Sequence, residues 1–493
     1  MMRKNIITVC ICAAIGFSAC DNYLDITPKG KAVLNKTEDY LGLLESIDME
    51  YRIDNFGYIA DEQSFAYMDE IESYKYPIYS SGFFWDEEFD RASNITDGEA
   101  CTELYNKCYL RISRYNILID NIEDSEGAES DKIMGMAQAK VMRAYNYFFL
   151  LNTFAKPYNP STAATDNGII VRERFNLEEV GRQYTVAQTY AFILKDLNEA
   201  VANLPEKAIN ALRPDKAFGY AFRAKVHLYM RNIDEALNDA LEALKFPNHE
   251  LWDLSKELSA FLSQHPEYSG SSDAMKYKFF RMMAVQLNGH KFSHPENLLY
   301  GYNHIYGSPV IRRRYLADLY DAQADLRYNV LCDPTLKPDY YSRGEYGTLK
   351  FMLHGAVYLN ECGIRLSEVY LIIAECYARK GNIGLTLKYL NDLRKTRLDT
   401  RYYKDLTATD VDNDKDKALS YVRDERKREL FASCNIFFDM RRFCTEFNET
   451  LTKTYTDVNG TTHTYTLKPD SHLLTFPFPV TAMQTTNLIQ NSK

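Results

Sequence analysis

Cys20 is the residue whose neighbours most plainly prescribe a reaction. Ser18 and Ala19 stand directly before it, Arg3 and Lys4 open the chain, and residues 6–17 form a short apolar run. That order is a secretory leader over residues 1–19. Its apolar run is too short for a hydrocarbon core of about 30 Å. Small residues beside the cut fit a signal peptidase, and a cysteine immediately beyond is the thiol that bacterial lipoprotein processing acylates. A diacylglycerol on the sulfur and an acyl chain on the new amino group exceed the two signals needed for stable anchoring. The chain is expected to be tethered to membrane lipid through Cys20 rather than to span the bilayer.

A second chemistry lies in the aromatic residues. The chain has 38 Tyr and 26 Phe, and Tyr offers an apolar face with a polar tip. Sugars present C–H faces and many hydroxyls, so exposed rings beside Asp, Asn and Arg suit them. Tyr74, Tyr76, Tyr79, Phe83, Phe84 and Trp85 fall in a stretch without helical pattern, next to Asp86 and Glu87. Tyr79, Phe83 and Trp85 are therefore candidate ligand contacts. Trp252, which follows a repeated hairpin, and Tyr300 and Tyr302, in a loop-rich region with Tyr306 and Tyr315, are further candidates. The competing reading is that these rings pin loops onto a scaffold.

Other chemistry is absent from the pattern. There is no HExxH, no GxSxG, no phosphate-binding Walker loop and no GxGxxG after a strand. Asp412-x-Asp414-x-Asp416 resembles the start of a calcium loop, but Lys417 stands where glycine is needed and Arg423 where a bidentate glutamate is needed. A solvated acidic loop is the expectation there. His290 and His294 have no third ligand in view. Glu87-Glu88 and Asp69-Glu70 are adjacent carboxylates that point apart, hence solvated faces rather than acid–base pairs. No catalytic residue, cofactor or metal is assigned. Seven cysteines follow Cys20 at irregular intervals without a C-x-x-C, so buried free thiols are expected instead of a disulfide framework. The net charge of −10 becomes −12 once Arg3 and Lys4 leave with the leader. That balance excludes nucleic acid as an electrostatic partner.

The elements that must position these residues are helical. After a tether at 20–36, helical spacing begins at Thr37, which is placed to cap with Glu38 and Asp39 in the first turn. Apolar residues step by three and four over 99–122 and 131–154, and again from Thr185 to Leu204, where Pro205 stops them. Residues 217–244 and 367–394 resemble each other at an offset of 150: Tyr220 with Tyr370, Ala224 with Ala374, Asn232 with Asn382, Leu237 with Leu387. Each reads as helix, tight turn and helix, similar to the tetratricopeptide hairpin. The expected fold is mainly α, a tetratricopeptide-like helical-hairpin scaffold with large loop-rich insertions and a few short strands. Hairpins occupy 217–245 and 367–397, a loop-rich insertion 246–345 and a C-terminal segment 398–493. Short strands are expected at 297–302 and 464–467, the latter in a hairpin turning at Asn459-Gly460.

Several motifs together resemble the SusD/RagB family of nutrient-binding outer-membrane lipoproteins. They are Cys20-Asp21-Asn22-Tyr23-Leu24 with Pro28, Ala139-Lys140-Val141-Met142-Arg143-Ala144-Tyr145, and Tyr184-Thr185-Val186 leading to Asp196-Leu197. Ile364-Arg365-Leu366-x-Glu368-Val369-Tyr370-Leu371 with Ala374-Glu375, then Leu390-Asn391 and Arg394, and finally Pro477-Phe478-Pro479 with Gln490-Asn491, complete the set. The resemblance covers nearly the whole length and makes 37–493 one SusD-like domain. It implies a non-catalytic lipoprotein on the outer face of the outer membrane. Such a protein binds a glycan or oligosaccharide and delivers it to a SusC-like TonB-dependent transporter. Peptide capture, as in RagB-like receptors, is the alternative within the family. A tetratricopeptide lipoprotein scaffold for envelope assembly is the alternative outside it. The chain departs from the family in one place. Glu425-Arg426-x-x-Glu429-Leu430 and Asp439-Met440-x-Arg442 fit, but Ser433, Cys434 and Ile436 replace the usual Glu-Gly-x-Arg. Apolar packing is expected to replace an ion-pair network at that junction.

Overall fold

A computed structural model of the chain describes residues 34–45, 48–61, 63–64, 77–176, 178–266, 292–303, 310–311, 319–321, 323–331, 350–351, 360–456 and 460–491. The leader, Cys20 and most of the tether lie outside these, as do Asp69, Glu70, Tyr74, Tyr76, His290, Tyr306 and Tyr315. The longer helices are α1 (Ala100–Asn121), α2 (Glu129–Phe154), α3 (Val186–Ala200), α4 (Lys216–Tyr229) and α5 (Ile233–Ala243). They continue with α6 (Leu254–Gln264), α7 (Leu366–Arg379), α8 (Ile383–Arg397), α9 (Lys415–Glu429) and α10 (Cys434–Phe447). Consecutive helices pack as α1 on α2, α2 on α3, α4 on α5 and α7 on α8. α5 packs on α7, so hairpins far apart in the chain become neighbours, and α9 continues the stack against α7 and α8. Among the described residues no helix is long and apolar enough to cross a membrane.

The two hairpins repeat down to backbone detail. In the first turn Arg231 has φ +64°, and in the second Gly381, 150 residues on, has φ +73°. Asn232 N–H donates to His227 O and Asn382 N–H to Tyr377 O, each at 2.9 Å. Arg231 and Gly381 N–H close the inner loop of each turn by donating to Leu228 O and Ala378 O at 3.0 and 2.9 Å. Both turns are therefore Schellman C-caps, which satisfy the last helical carbonyls with one left-handed residue. Asn382 then caps α8 by accepting from Leu385 N–H at 3.1 Å.

Some other helix starts are also written locally. Thr185 and Gln188 form a capping box at α3, with bonds of 3.2 and 3.0 Å. Thr37 does not cap its helix (Thr37–Glu45): its hydroxyl pairs with Ser125 at 2.7 Å, and Asp39 takes the Lys36 and Asn35 N–H groups instead. α2 is the central helix, buried without interruption from Val141 to Phe154. Its end is closed by the buried Arg441 of α10, which donates to Asn152 O and Ala155 O. A cation there meets orphan carbonyls and the negative end of the helix dipole.

Strands are short and antiparallel. Asn167–Val171 pairs with Arg182–Thr185, and Asn297–Leu299 with Ile364–Arg365. Leu451–Thr456 pairs with Thr462–Leu467 across a turn that holds Gly460 at φ +84°. The expected strands are thus observed, the first ending at Leu299 and the last pairing as a hairpin with Gly460 in its turn, while Asn459 lies outside the described residues. Residues 412–414 form a solvated loop and Asp416 falls in the exposed first turn of α9: Lys417 Nζ pairs with Asp412, and Asp414 caps α9 through Lys417 N–H at 2.8 Å.

Tyrosine builds the core. Tyr51, Tyr115, Tyr145, Tyr147 and Tyr190 are fully buried, and their hydroxyls reach fixed partners, as in Tyr145 to Cys362 O at 2.6 Å and Tyr147 to Arg172 O at 2.9 Å. Six cysteines (Cys101, Cys108, Cys362, Cys376, Cys434 and Cys444) are free and buried, as expected. Burial pushes the Cys101, Cys108 and Cys434 thiols up to about 12, which leaves them inert packing groups.

The junction of α9 and α10 corrects the expectation of apolar packing. Arg426 pairs with Asp439 at 2.7 Å, and Arg442 bridges Asp439 and both oxygens of Glu375 at 2.7–2.8 Å. Lys225 reaches Glu368 at 2.9 Å. Further along α9, Glu429 is clasped by Arg397, Arg327 and Arg365. Burial pushes the Glu375 and Glu429 carboxyls up, but the surrounding guanidiniums overcome it and hold both well below the usual range. Ser433 has a local duty: it caps α10 through Asn435 N–H at 3.2 Å. The network persists because its members come from α4, α7, α9 and α10 and do not need the replaced positions.

Candidate functional site

The candidate aromatic residues separate into three places. The first is the segment before α1. Residues Pro77–Phe84 are helical, contrary to the expectation of a loop, and the following Trp85 turns the chain at φ +50°. Its indole is 5% exposed and lies among Cys444, Leu467, Leu473 and Leu474. Nε1–H donates to Ile59 O at 2.8 Å. Lys453 Nζ sits 4.3 Å from the Trp85 ring centre and 4.8 Å from that of Phe83, with Asp61 at 3.5 Å. Phe83 is fully buried and Tyr79 is 8% exposed, both packed on Tyr455 of the C-terminal hairpin. These three rings fasten the segment to the strands Leu451–Thr456 and Thr462–Leu467. They form no open platform, because all three are buried.

The second place holds Tyr300 and Tyr302. Tyr300 is fully buried and its ring stacks on Tyr302 at 6.2 Å between centres. Tyr302 is half-buried, and its hydroxyl donates to Asp48 Oδ1 at 2.8 Å. Lys107 reaches Glu50 at 2.6 Å and Glu103 at 3.3 Å beside it. Tyr302 is the candidate of this pair that keeps a polar, partly open setting. The third place holds Trp252, half-buried beside Leu254, Leu258 and Leu326 and edge-on to His294 at 5.3 Å. Its N–H donates to Glu296 and its carbonyl accepts from Arg397, so it locks the start of α6 to the ion-pair network. The six candidates therefore do not converge on one surface.

The structure shows clefts that sequence reasoning did not assign. The exposed edge of Trp85 borders one of 290 Å³ between the α9–α10 junction and strand Leu451–Thr456. A second, of 410 Å³, has Tyr105, Tyr109, Phe175 and Asn176 at its walls. A third, of 480 Å³, lies by Arg394, Tyr402, Lys404 and Tyr421. All three combine rings with hydrogen-bonding groups, the composition of a small-ligand site. No signal in one sequence could find them, because each wall is assembled from segments distant in the chain. Among the described residues no group of three or more His, Cys, Asp and Glu is placed to hold a metal.

The fold and these surfaces define a helical-repeat binding scaffold, and comparison gives its family. Residues 22–228 match the SusD-like family described as starch-binding, associating with outer membrane, and residues 358–483 match the SusD family. The chain belongs to the SusD/RagB family. Solved structures agree on the fold. A SusD superfamily protein from Bacteroides thetaiotaomicron superposes with a TM-score of 0.67 at 16% identity, covering 93% of this chain and 100% of that one. Another, from Bacteroides vulgatus, gives 0.64 at 18% identity, covering 93% and 99%. A laminarin-binding SusD-like protein gives 0.58 at 17% identity, covering 93% and 99%. No curated protein matches the chain.

Proposed function

We propose that the chain is a glycan receptor without catalytic activity, held on the outer face of the outer membrane by lipid on Cys20, that passes captured oligosaccharide to a SusC-like TonB-dependent transporter. The observation that carries this reading is family membership shown by two separate segments, 22–228 and 358–483. One of the structural neighbours binds laminarin, a glycan. The leader and Cys20 supply the anchor, and the segment that follows joins it to the domain. The helical stack supplies a rigid body, so loop-borne ligand groups keep their geometry as that body swings.

The anchor and the partnership have direct tests. Cys20→Ala is expected to end incorporation of labelled fatty acid and to release the protein from the membrane fraction. A mutant that stays membrane-bound through high-salt washing at unchanged mass would refute the anchor. A tagged chain solubilised in mild detergent is expected to bring down a TonB-dependent barrel. Recovery without any barrel would refute the delivery step.

A further inference from the structure

Of the three clefts, the one of 410 Å³ has no carboxylate in its lining. The other two do: Asp61, Asp439 and Glu449 border the first, and Asp321, Asp325, Asp424 and Glu425 the third. The charged groups of the 410 Å³ cleft are Arg172 and Arg174, and among the described residues neither has an ion-pair partner. Arg174 is exposed and Arg172 half-buried. Arg172 Nη1 donates to Glu179 O at 3.0 Å, a neutral acceptor that leaves its charge uncompensated. Neighbouring acids are turned to other partners. Glu173 accepts from the Tyr184 hydroxyl at 3.0 Å and lies 3.7 Å from Lys195, and Asp120 accepts from Phe175 N–H at 2.8 Å. In a chain of net charge −10 this cleft is a local reversal of sign.

The walls say what kind of anion fits. Tyr105 and Tyr109 stand one turn apart on α1, with ring centres at 4.6 Å. Burial raises both hydroxyls, and the Arg172 cation acts on them in the opposite sense, so its charge stands close to two rings of the lining. Phe175 is 41% exposed and offers an apolar face to C–H groups. The Asn106 amide and the Thr481 hydroxyl are exposed at the cleft and can serve sugar hydroxyls as donor or acceptor. A guanidinium presents parallel N–H groups that match the paired oxygens of a carboxylate or similar oxyanion. A neutral sugar would leave both cations without counter-charge, and a cationic one would be repelled. At 410 Å³ the space lies within the range of ligand sites, about 300–1,000 Å³.

Resting on the receptor reading above, we propose that this cleft seats an acidic sugar unit of the captured glycan, whose carboxylate or sulfate oxygens accept from Arg172 and Arg174. The test is calorimetric titration of the mature chain in detergent with an oligogalacturonide, a sulfated oligosaccharide and a neutral oligosaccharide of equal length. The first two ligands separate carboxylate from sulfate. The expected result is preference for an acidic ligand over the neutral one, weakening as salt is raised. Arg174 is exposed and has no ion-pair partner to lose, so Arg174→Gln should keep the melting temperature and weaken acidic binding about tenfold. Asn106→Trp on α1 fills the space by bulk and should weaken it as well. Lys207→Gln, exposed and outside the lining, should leave binding unchanged. Equal losses in Lys207→Gln and Arg174→Gln would mean attraction to overall charge and overturn the site. Acidic binding that is unchanged in both cleft variants also overturns it, while the receptor reading stands. Preference for the neutral oligosaccharide overturns the acidic assignment. Absence of binding to every glycan overturns the receptor reading and this site with it.

Discussion

Trp85 offers the sharpest test of how the structure holds together. Its indole is buried among Leu467, Leu473 and Leu474, donates to Ile59 O, and covers the cation of Lys453. Truncating a buried Trp to Ala costs about 3–5 kcal/mol, here with Lys453 losing a ring face worth about 0.5–2 kcal/mol inside that total. Trp85→Phe keeps most of the packing and strands the Ile59 carbonyl, for a loss of about 1–3 kcal/mol. The backbone adds a discriminating expectation. At φ +50° a side chain of L configuration is strained by about 1–2 kcal/mol, from which glycine is exempt. Trp85→Gly should therefore be no less stable than Trp85→Ala, the reverse of the usual order inside an element. Urea denaturation followed by far-UV circular dichroism on the four proteins measures this. A Trp85→Ala variant with wild-type stability would refute the anchoring role, and a glycine variant clearly weaker than alanine would refute the left-handed turn.

Two further perturbations read local physics. Both oxygens of Glu99 are buried without a hydrogen-bond partner, and burial raises its carboxyl from 4.5 to about 7. The native state thus binds the proton more tightly than the unfolded chain, so this group's effect on stability worsens as pH rises from about 4.5 to 7 and levels off above. The span is at most about 3 kcal/mol. Glu99→Gln should match the wild type at pH 4.5 and exceed it at pH 8 by denaturant midpoint. Equal midpoints at both pH values would refute the buried carboxyl. Gly381 has φ +73° and nothing within 4 Å of an added Cβ, so Gly381→Ala should lose about 1 kcal/mol from conformation alone. A loss above about 3 kcal/mol in the melting experiment would mean a packing role instead.

The helical scaffold was legible because its signals are local. The capping box at Thr185, the stop at Pro205, and the 150-residue echo between Asn232 and Asn382 each need only neighbours along the chain. The echo even carried the turn conformation, with Arg231 accepting a backbone that Gly381 adopts freely. The ligand surface was not legible, for two physical reasons. Tyrosine abundance was read toward sugar contact, yet Tyr145, Tyr147 and Tyr190 spend their hydroxyls on buried partners, and nothing local distinguishes such a ring from an exposed one. Trp85 looked like loop aromatic because its partners, Ile59 and Lys453, lie 26 and 368 positions away. The network at α9–α10 was misjudged for the same reason: replacing Glu and Arg at positions 433 and 436 removes two members, while Glu368, Glu375 and Lys225 arrive from other helices.

The central claim is that this chain binds glycan and leaves it intact. Isothermal titration of the mature protein against a panel of oligosaccharides and peptides, with the titrated mixtures analysed by mass spectrometry, addresses it most directly. The account predicts saturable heat with at least one oligosaccharide class, none with the peptides, and every ligand recovered at its starting mass. Saturable binding of peptides alone, or recovery of shortened oligosaccharides, would contradict it.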